Sequence, residues 1–228
     1  MKDQVENDKG RRSIITGIGV AAASITLGAS APKAQPSSGF QPARHRLDAW
    51  LDELPGSHRV FVDSSTPLGG AEALLYSNNI MTAHENAYSG SAGDYAMIIC
   101  FRHVSTPFAF TDAIWEKYGE IFNQQMQFPD PATGDAPTTN LMNAPNRPDL
   151  PNFGNTIDIL GAKGTVFAIC ANATRFFSGQ IAARTSASPA DIYDELVESA
   201  IANSRFVSAG VIALTRAQEY GYSVLNAG

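Results

Sequence analysis

The sequence is poor in the residues that carry several large classes of chemistry. Two cysteines in 228 residues are too few for a disulfide-built scaffold, or for a zinc site made chiefly of thiolates. The 4 histidines (His45, His58, His84 and His103) have no second histidine or thiol at metal-ligand spacing, so no metal site is expected. Charged residues make up only 17% of the chain, and acidic ones outnumber basic ones by 22 to 16. With a net charge of −6 and no lysine–arginine cluster beyond the N-terminus, a nucleic-acid partner is not expected. No apolar run reaches the roughly 20 residues of a firm membrane span. There is no G-x-S-x-G elbow, no P-loop lysine and no G-x-G-x-x-G, and no cofactor is expected. No internal repeat is visible. What is present is a 44% hydrophobic composition, enough for one core and one domain with an appendage.

The appendage is N-terminal. In residues 1–34 a polar segment ends at Arg11-Arg12, and a weakly apolar run rich in glycine and alanine follows from Ile14 to about Ala31. This resembles a twin-arginine export signal, although Gly10 stands where serine or threonine is usual and Ile14 where phenylalanine is commonest. The resemblance implies a periplasmic protein that crosses the membrane already folded. An uncleaved signal would be its one link to a membrane. Residues 35–57 read as a linker and a short helix, the latter from the spacing of Leu47, Trp50, Leu51 and Leu54.

From residue 58 onward, strands and helices alternate. Arg59–Ser64, Asp94–Arg102 and Thr165–Cys170 read as strands, with weaker ones at Phe206–Val211 and Tyr222–Leu225. Helical spacing occupies Ala71 to about Ala87, Ala109–Gln125, Ile157–Lys163, Asn172–Arg184, Pro189–Asn203 and Ile212–Tyr220. Such alternation predicts an α/β fold, three-layer α/β/α, with a mainly parallel sheet of about five strands. Residues 128–155 break the rhythm. They carry six of the 13 prolines and read as an insertion of the lid, interface-loop or disordered kind.

In open parallel sheets ligands sit beyond the carboxyl ends of the strands. Three segments end there: Ser64–Gly70, Cys100-Phe101-Arg102-His103 and Cys170-Ala171-Asn172. Gly69-Gly70 before a helix would suit an anion. Cys170 is the sharper candidate, because it closes a buried strand just before a helix whose expected cap is Asn172. Unpaired N–H groups and the helix dipole would face its sulfur, and Arg175 lies one turn further on. The competing reading is a small core hydrophobe. Cys100 sits inside an unbroken apolar run and reads as core. His103, beside Arg102, is open to three readings: general base, haem or metal ligand, or hydrogen-bonded loop residue. Phe108, Phe110, Trp115, Tyr118 and Phe122 read as helix core plus a contact face.

The C-terminal third carries a specific pattern. Gly164-Thr-Val-Phe-Ala-Ile-Cys170-Ala-Asn172 is followed by a variable helix. Val207-Ser-Ala209-Gly210-Val211 and Leu214-Thr-Arg216-Ala-Gln218-Glu219-Tyr-Gly221-Tyr222 then complete it. Over roughly residues 58–227 the chain resembles the DsrE/DsrF-like (YchN-like) family, and the His103–Gly119 segment resembles an exported subgroup of it. The resemblance implies a homo-oligomer, trimer or hexamer, in which Cys170 carries persulfide sulfur to or from a partner protein; the reading of the strand ends adds Arg102, His103, Asn172 and Arg175 as binding residues. The alternative is a non-catalytic oligomeric binding module whose pocket includes the proline-rich segment. Ala171 stands where the family has glycine, and the export signal departs from cytosolic relay members. With the family's sheet order expected to set the first strand between those of Cys100 and Cys170, no disulfide is predicted between them.

Overall fold

A computed structural model describes Gly39 and residues 41–228. The export segment expected over residues 1–34 lies outside the described residues. Among the described residues no helix is long and apolar enough to cross a membrane.

Five strands form one all-parallel sheet: β1 (His58–Ser64), β2 (Tyr95–Phe101), β3 (Val166–Cys170), β4 (Ser204–Val207) and β5 (Ser223–Ala227). Their order is β4-β3-β2-β1-β5. The helices are α1 (Trp50–Glu53), α2 (Pro67–Tyr88), α3 (Asp112–Met126), α4 (Ile157–Ala162), α5 (Ala171–Ala182), α6 (Pro189–Glu198) and α7 (Gly210–Glu219). The expected three-layer α/β/α architecture is the one observed.

The topology decides which helix covers which face. The chain steps from β1 through β2 and β3 to β4 in one direction, then returns across the whole sheet to β5. Parallel crossovers are right-handed in about 98% of cases, so steps in one direction stack their helices on one face and the return step uses the other. The core divides accordingly. One half packs Val62, Ile99, Phe101, Phe167 and Ile169 under α2 to α6, with Trp115, Phe122 and Phe177. The other packs Phe61, Ile98, Cys100 and Ala168 under Ala213 and Ala217 of α7 and Trp50 and Leu51 of α1. β2 is buried from Ala96 to Phe101, as its unbroken apolar run requires.

Several local expectations are corrected. β2 and β3 are neighbours, so no strand separates the two cysteines. Cys100 pairs with Ala168, which puts Cys170 two residues further along the adjacent strand on the same face. With about 4.8 Å between strands and about 3.3 Å per residue, their Cα atoms are about 8 Å apart, past the roughly 7 Å that a disulfide spans. Both thiols are free. Gly69 and Gly70 are not an anion loop. They are buried in the first turn of α2, which Thr66 caps by accepting the Gly69 N–H at 2.9 Å. A Cβ on Gly70 would stand 2.6 Å from the Phe108 ring, so no room remains for a ligand.

Residues 128–155 are neither disordered nor a lid over the strand ends. Asn140, which is buried, donates to Phe108 O at 2.7 Å and Phe110 O at 2.9 Å, while Leu141, Met142 and Leu150 enter the core. Arg147 ties the segment to itself by bonding both Asp130 and Asp149. The strand expected at Phe206–Val211 is β4, which ends at Val207, and Gly210 already opens α7.

Candidate functional site at the carboxyl end of the sheet

The connections leaving β3 and β4 go to opposite faces, one into α5 and the other into α7. Such a divergence is a topological switch point, and it opens a crevice beyond the strand ends. A cavity of about 560 Å³ occupies it. Cys170, Asn172, Ala173 and Phe176 line it from β3–α5, and Ala209, Gly210 and Val211 from β4–α7. Arg102, His103 and Val104 follow β2, and Gln125 reaches it from α3.

Cys170 is at once the last residue of β3 and the N-cap of α5. Its Sγ accepts the Ala173 N–H at 3.4 Å, and its carbonyl accepts the Thr174 hydroxyl at 3.0 Å. The expected cap, Asn172, is instead inside the helix, because Cys170 itself holds the extended conformation (φ −73°, ψ 106°) from which a cap reaches back. Negative charge on this sulfur would meet the orphan N–H groups and positive end of α5. The thiol is nearly buried, 6% exposed, with the cavity as its outlet.

Arg102 is clamped from below. Its Nε donates to Asp63 Oδ1 at 2.8 Å and its Nη2 to Asp63 Oδ2 at 2.6 Å. Asp63 sits directly opposite Cys100 in the β1–β2 register and is itself buried. The hydrogen bond to Asp63 raises the guanidinium's affinity for its proton further, so Arg102 is a fixed cation. Cys100 has the opposite character. Burial, reinforced by the Asp63 charge, pushes its thiol well above the ordinary thiol range and keeps it protonated. Gly210 closes the floor between them. A Cβ there would lie 2.6 Å from Arg102 Cβ and 3.1 Å from Cys100 Sγ, so the close approach of α7 requires glycine.

His103 adopts φ +52°, in the left-handed region that few side chains enter. This turns the chain sharply after β2, and a buried serine pair pins the turn. Ser64 Oγ donates to Cys100 O at 2.8 Å, and Ser105 Oγ donates to Arg102 O at 2.8 Å. His103 therefore stands exposed beside the cavity.

Of the residues named from sequence, Cys170, Arg102, His103 and Asn172 meet around one cavity. Arg175 does not. It lies over the Tyr193 ring at 5.0 Å and donates to Asn172 Oδ1 at 3.4 Å, without lining the cavity itself. No residue of 128–155 lines this cavity; residues 134–138 line a separate one against α3. Sequence reasoning missed Phe176, Ala209, Gly210 and Val211. The signal was available in Ala209-Gly210-Val211, since a small-residue run after a strand marks a close helix approach.

The structure also joins two histidines that looked unrelated. At the amino end of the sheet His58 stacks on Tyr95 and meets His84 edge-on at 5.0 Å, and His84 Nε2 contacts Asp94 Oδ2 at 3.1 Å. Among the described residues no group of three or more His, Cys, Asp or Glu side chains has a geometry that would hold a metal ion. Comparisons of the chain with protein-family models, with curated proteins and with solved structures found no match.

Proposed function

We propose that this is a thiol-dependent sulfur-handling protein in which Cys170 accepts and releases sulfane sulfur as a persulfide, as its resemblance to the DsrE/DsrF-like family implies. In the same reading it is exported to the periplasm and works as a homo-oligomer, with a second protein as donor or acceptor. One observation carries the proposal. The Cys170 sulfur caps α5 and opens into a cavity at the switch point, beside a fixed guanidinium.

The chemistry asked of the site is modest. The Cys170 thiolate attacks the terminal sulfur of a donor R–S–SH, and a Cys170–sulfur bond forms as the donor's S–S bond breaks. The thiolate R–S⁻ leaves and takes up the proton that Cys170 had released, so thiol and persulfide exchange without any net oxidation. The α5 N-terminus and Arg102 stabilise negative charge on sulfur during attack and on departure. Cys100, protonated and enclosed, takes no part.

Reduced protein exposed to inorganic polysulfide and examined by intact mass spectrometry tests this directly. A gain of sulfur atoms is expected in the parent and in Cys100→Ser, and none in Cys170→Ser. No gain, or a gain lodged on Cys100, overturns the proposal. In that event the cavity alone, with its Arg102 and apolar walls, favours the non-catalytic binding module.

A further inference from the structure

We infer that the donor or ligand taken by this cavity is a small organic anion with an apolar body, neither a neutral thiol nor a bare inorganic anion. The inference rests on the reading of Cys170 as the sulfur-bearing residue and adds the class of molecule that meets it.

The charge inventory of the cavity is one-sided. Among the described residues Arg102 is the only permanently charged side chain that lines it, and no carboxylate does. Asp63 occupies Nε and Nη2 of that guanidinium, and Nη1 has no partner among the described residues. The bidentate clamp fixes the plane of the group, since Nε and Nη2 are held by a carboxylate that is itself buried. An arginine fixed in this way keeps its place in the cavity lining, with its remaining donors unpartnered among the described residues. A neutral occupant would desolvate them without returning a charge-assisted hydrogen bond.

The remaining walls ask for hydrocarbon. Phe176 is 48% exposed and Val211 58%, on opposite sides of the crevice, and Val104, half-buried, lines it as well. The volume falls inside the roughly 300–1,000 Å³ of small-molecule pockets. An inorganic anion would pair with Arg102 and leave both apolar walls in water. An organic anion satisfies both at once, with its head on Nη1 and its body between Phe176 and Val211.

Two alkylating reagents of nearly equal size separate charge from reactivity: anionic iodoacetate and neutral iodoacetamide. The ratio of their rates at Cys170, divided by the same ratio for free cysteine, is expected to be about tenfold in favour of iodoacetate, the effect of one charge-assisted contact. It is expected to fall to the free-cysteine value in the double variant Asp63→Asn/Arg102→Gln, which removes both charges and strands neither. A ratio equal to that of free cysteine in the parent, or one retained in the double variant, overturns the inference.

If neither reagent modifies Cys170, the sulfur-carrier reading fails, and the anion site is then judged alone. Isothermal titration of Cys170→Ser with 4-phenylbutyrate should show one site, weakened about tenfold by the double variant. No heat, or binding unaffected by the double variant, overturns the inference. Sulfate matching 4-phenylbutyrate at equal concentration overturns its apolar half.

Discussion

The two faces of this sheet are built from different materials. Under α2 to α6 runs a continuous aromatic chain. Phe177 meets Phe122 at 5.5 Å, Phe122 meets Trp115 at 5.2 Å, Trp115 meets Phe108 at 5.9 Å and Phe108 meets Phe101 at 6.3 Å. Under α7 four alanines (Ala96, Ala168, Ala213, Ala217) are spaced among scattered rings such as Phe61 and Tyr222, and the Cys100 thiol lies with them. The difference follows from topology. Three crossovers in one direction load one face with helices, which large rings can fill. The single return crossover leaves the other face to α7, 10 residues long, and the short α1, and small residues let α7 approach closely. The polar groups that bear on chemistry, Asp63, Arg102 and Cys170, sit where this thin layer meets the strand ends.

That contrast can be broken at its strongest point first. Phe122→Ala opens a hole in the aromatic chain and should cost about 3–5 kcal/mol of stability, measured by urea unfolding. Because it lies on the crowded face, the iodoacetate-to-iodoacetamide ratio at Cys170 should survive in the fraction that remains folded. A lost ratio would show that the two faces are coupled. Gly210→Ala probes the thin face. Its new methyl meets Arg102 and Cys100, so a cost of about 1–3 kcal/mol is expected together with a changed alkylation ratio. Stability equal to that of the parent would mean that α7 has freedom to retreat.

The smallest effect is a pH dependence on the same thin face. Tyr222 donates to Leu51 O at 2.8 Å, and burial raises its pKa to about 12. The folded protein therefore keeps this proton up to about pH 12, whereas an unfolded tyrosine releases it near pH 10. The corresponding stability is complete below pH 10 and is lost as pH rises from there through the folded pKa. Thermal melts across the alkaline range should show this slope in the parent and a shallower one in Tyr222→Phe. Identical slopes would remove Tyr222 from the account.

Much of this was legible in the chain. The alternation of β-rich and helical runs is local information, and it led to the three-layer fold and to Cys170 at a strand end. The strand order was not, because pairing β2 with β3 depends on which edges meet after collapse rather than on any residue in either strand. The α5 cap was misjudged by two residues, since asparagine is the commoner cap and sulfur a rare one. The insertion could not be read as ordered. Its anchor, Asn140, bonds carbonyls some thirty positions away, and no periodicity announces a bond of that kind. His58 and His84 were separated by most of α2, and only the return of the chain into β2 joins them.

One feature of the sheet governs how the protein must be made. Val60 pairs with Ser223 and Ser64 with Ala227, so the outer side of β1 is covered only by β5. A ribosome finishes β1, β2 and β3 long before β5 emerges. Throughout that interval the growing chain offers an open strand edge, carrying Phe61 and Val62, to any other extended segment nearby. Sheet closure is thus a late and long-range event, of the kind that slows folding. A chain arrested before residue 223 is accordingly expected to aggregate through β1, and one that has passed it to be protected there.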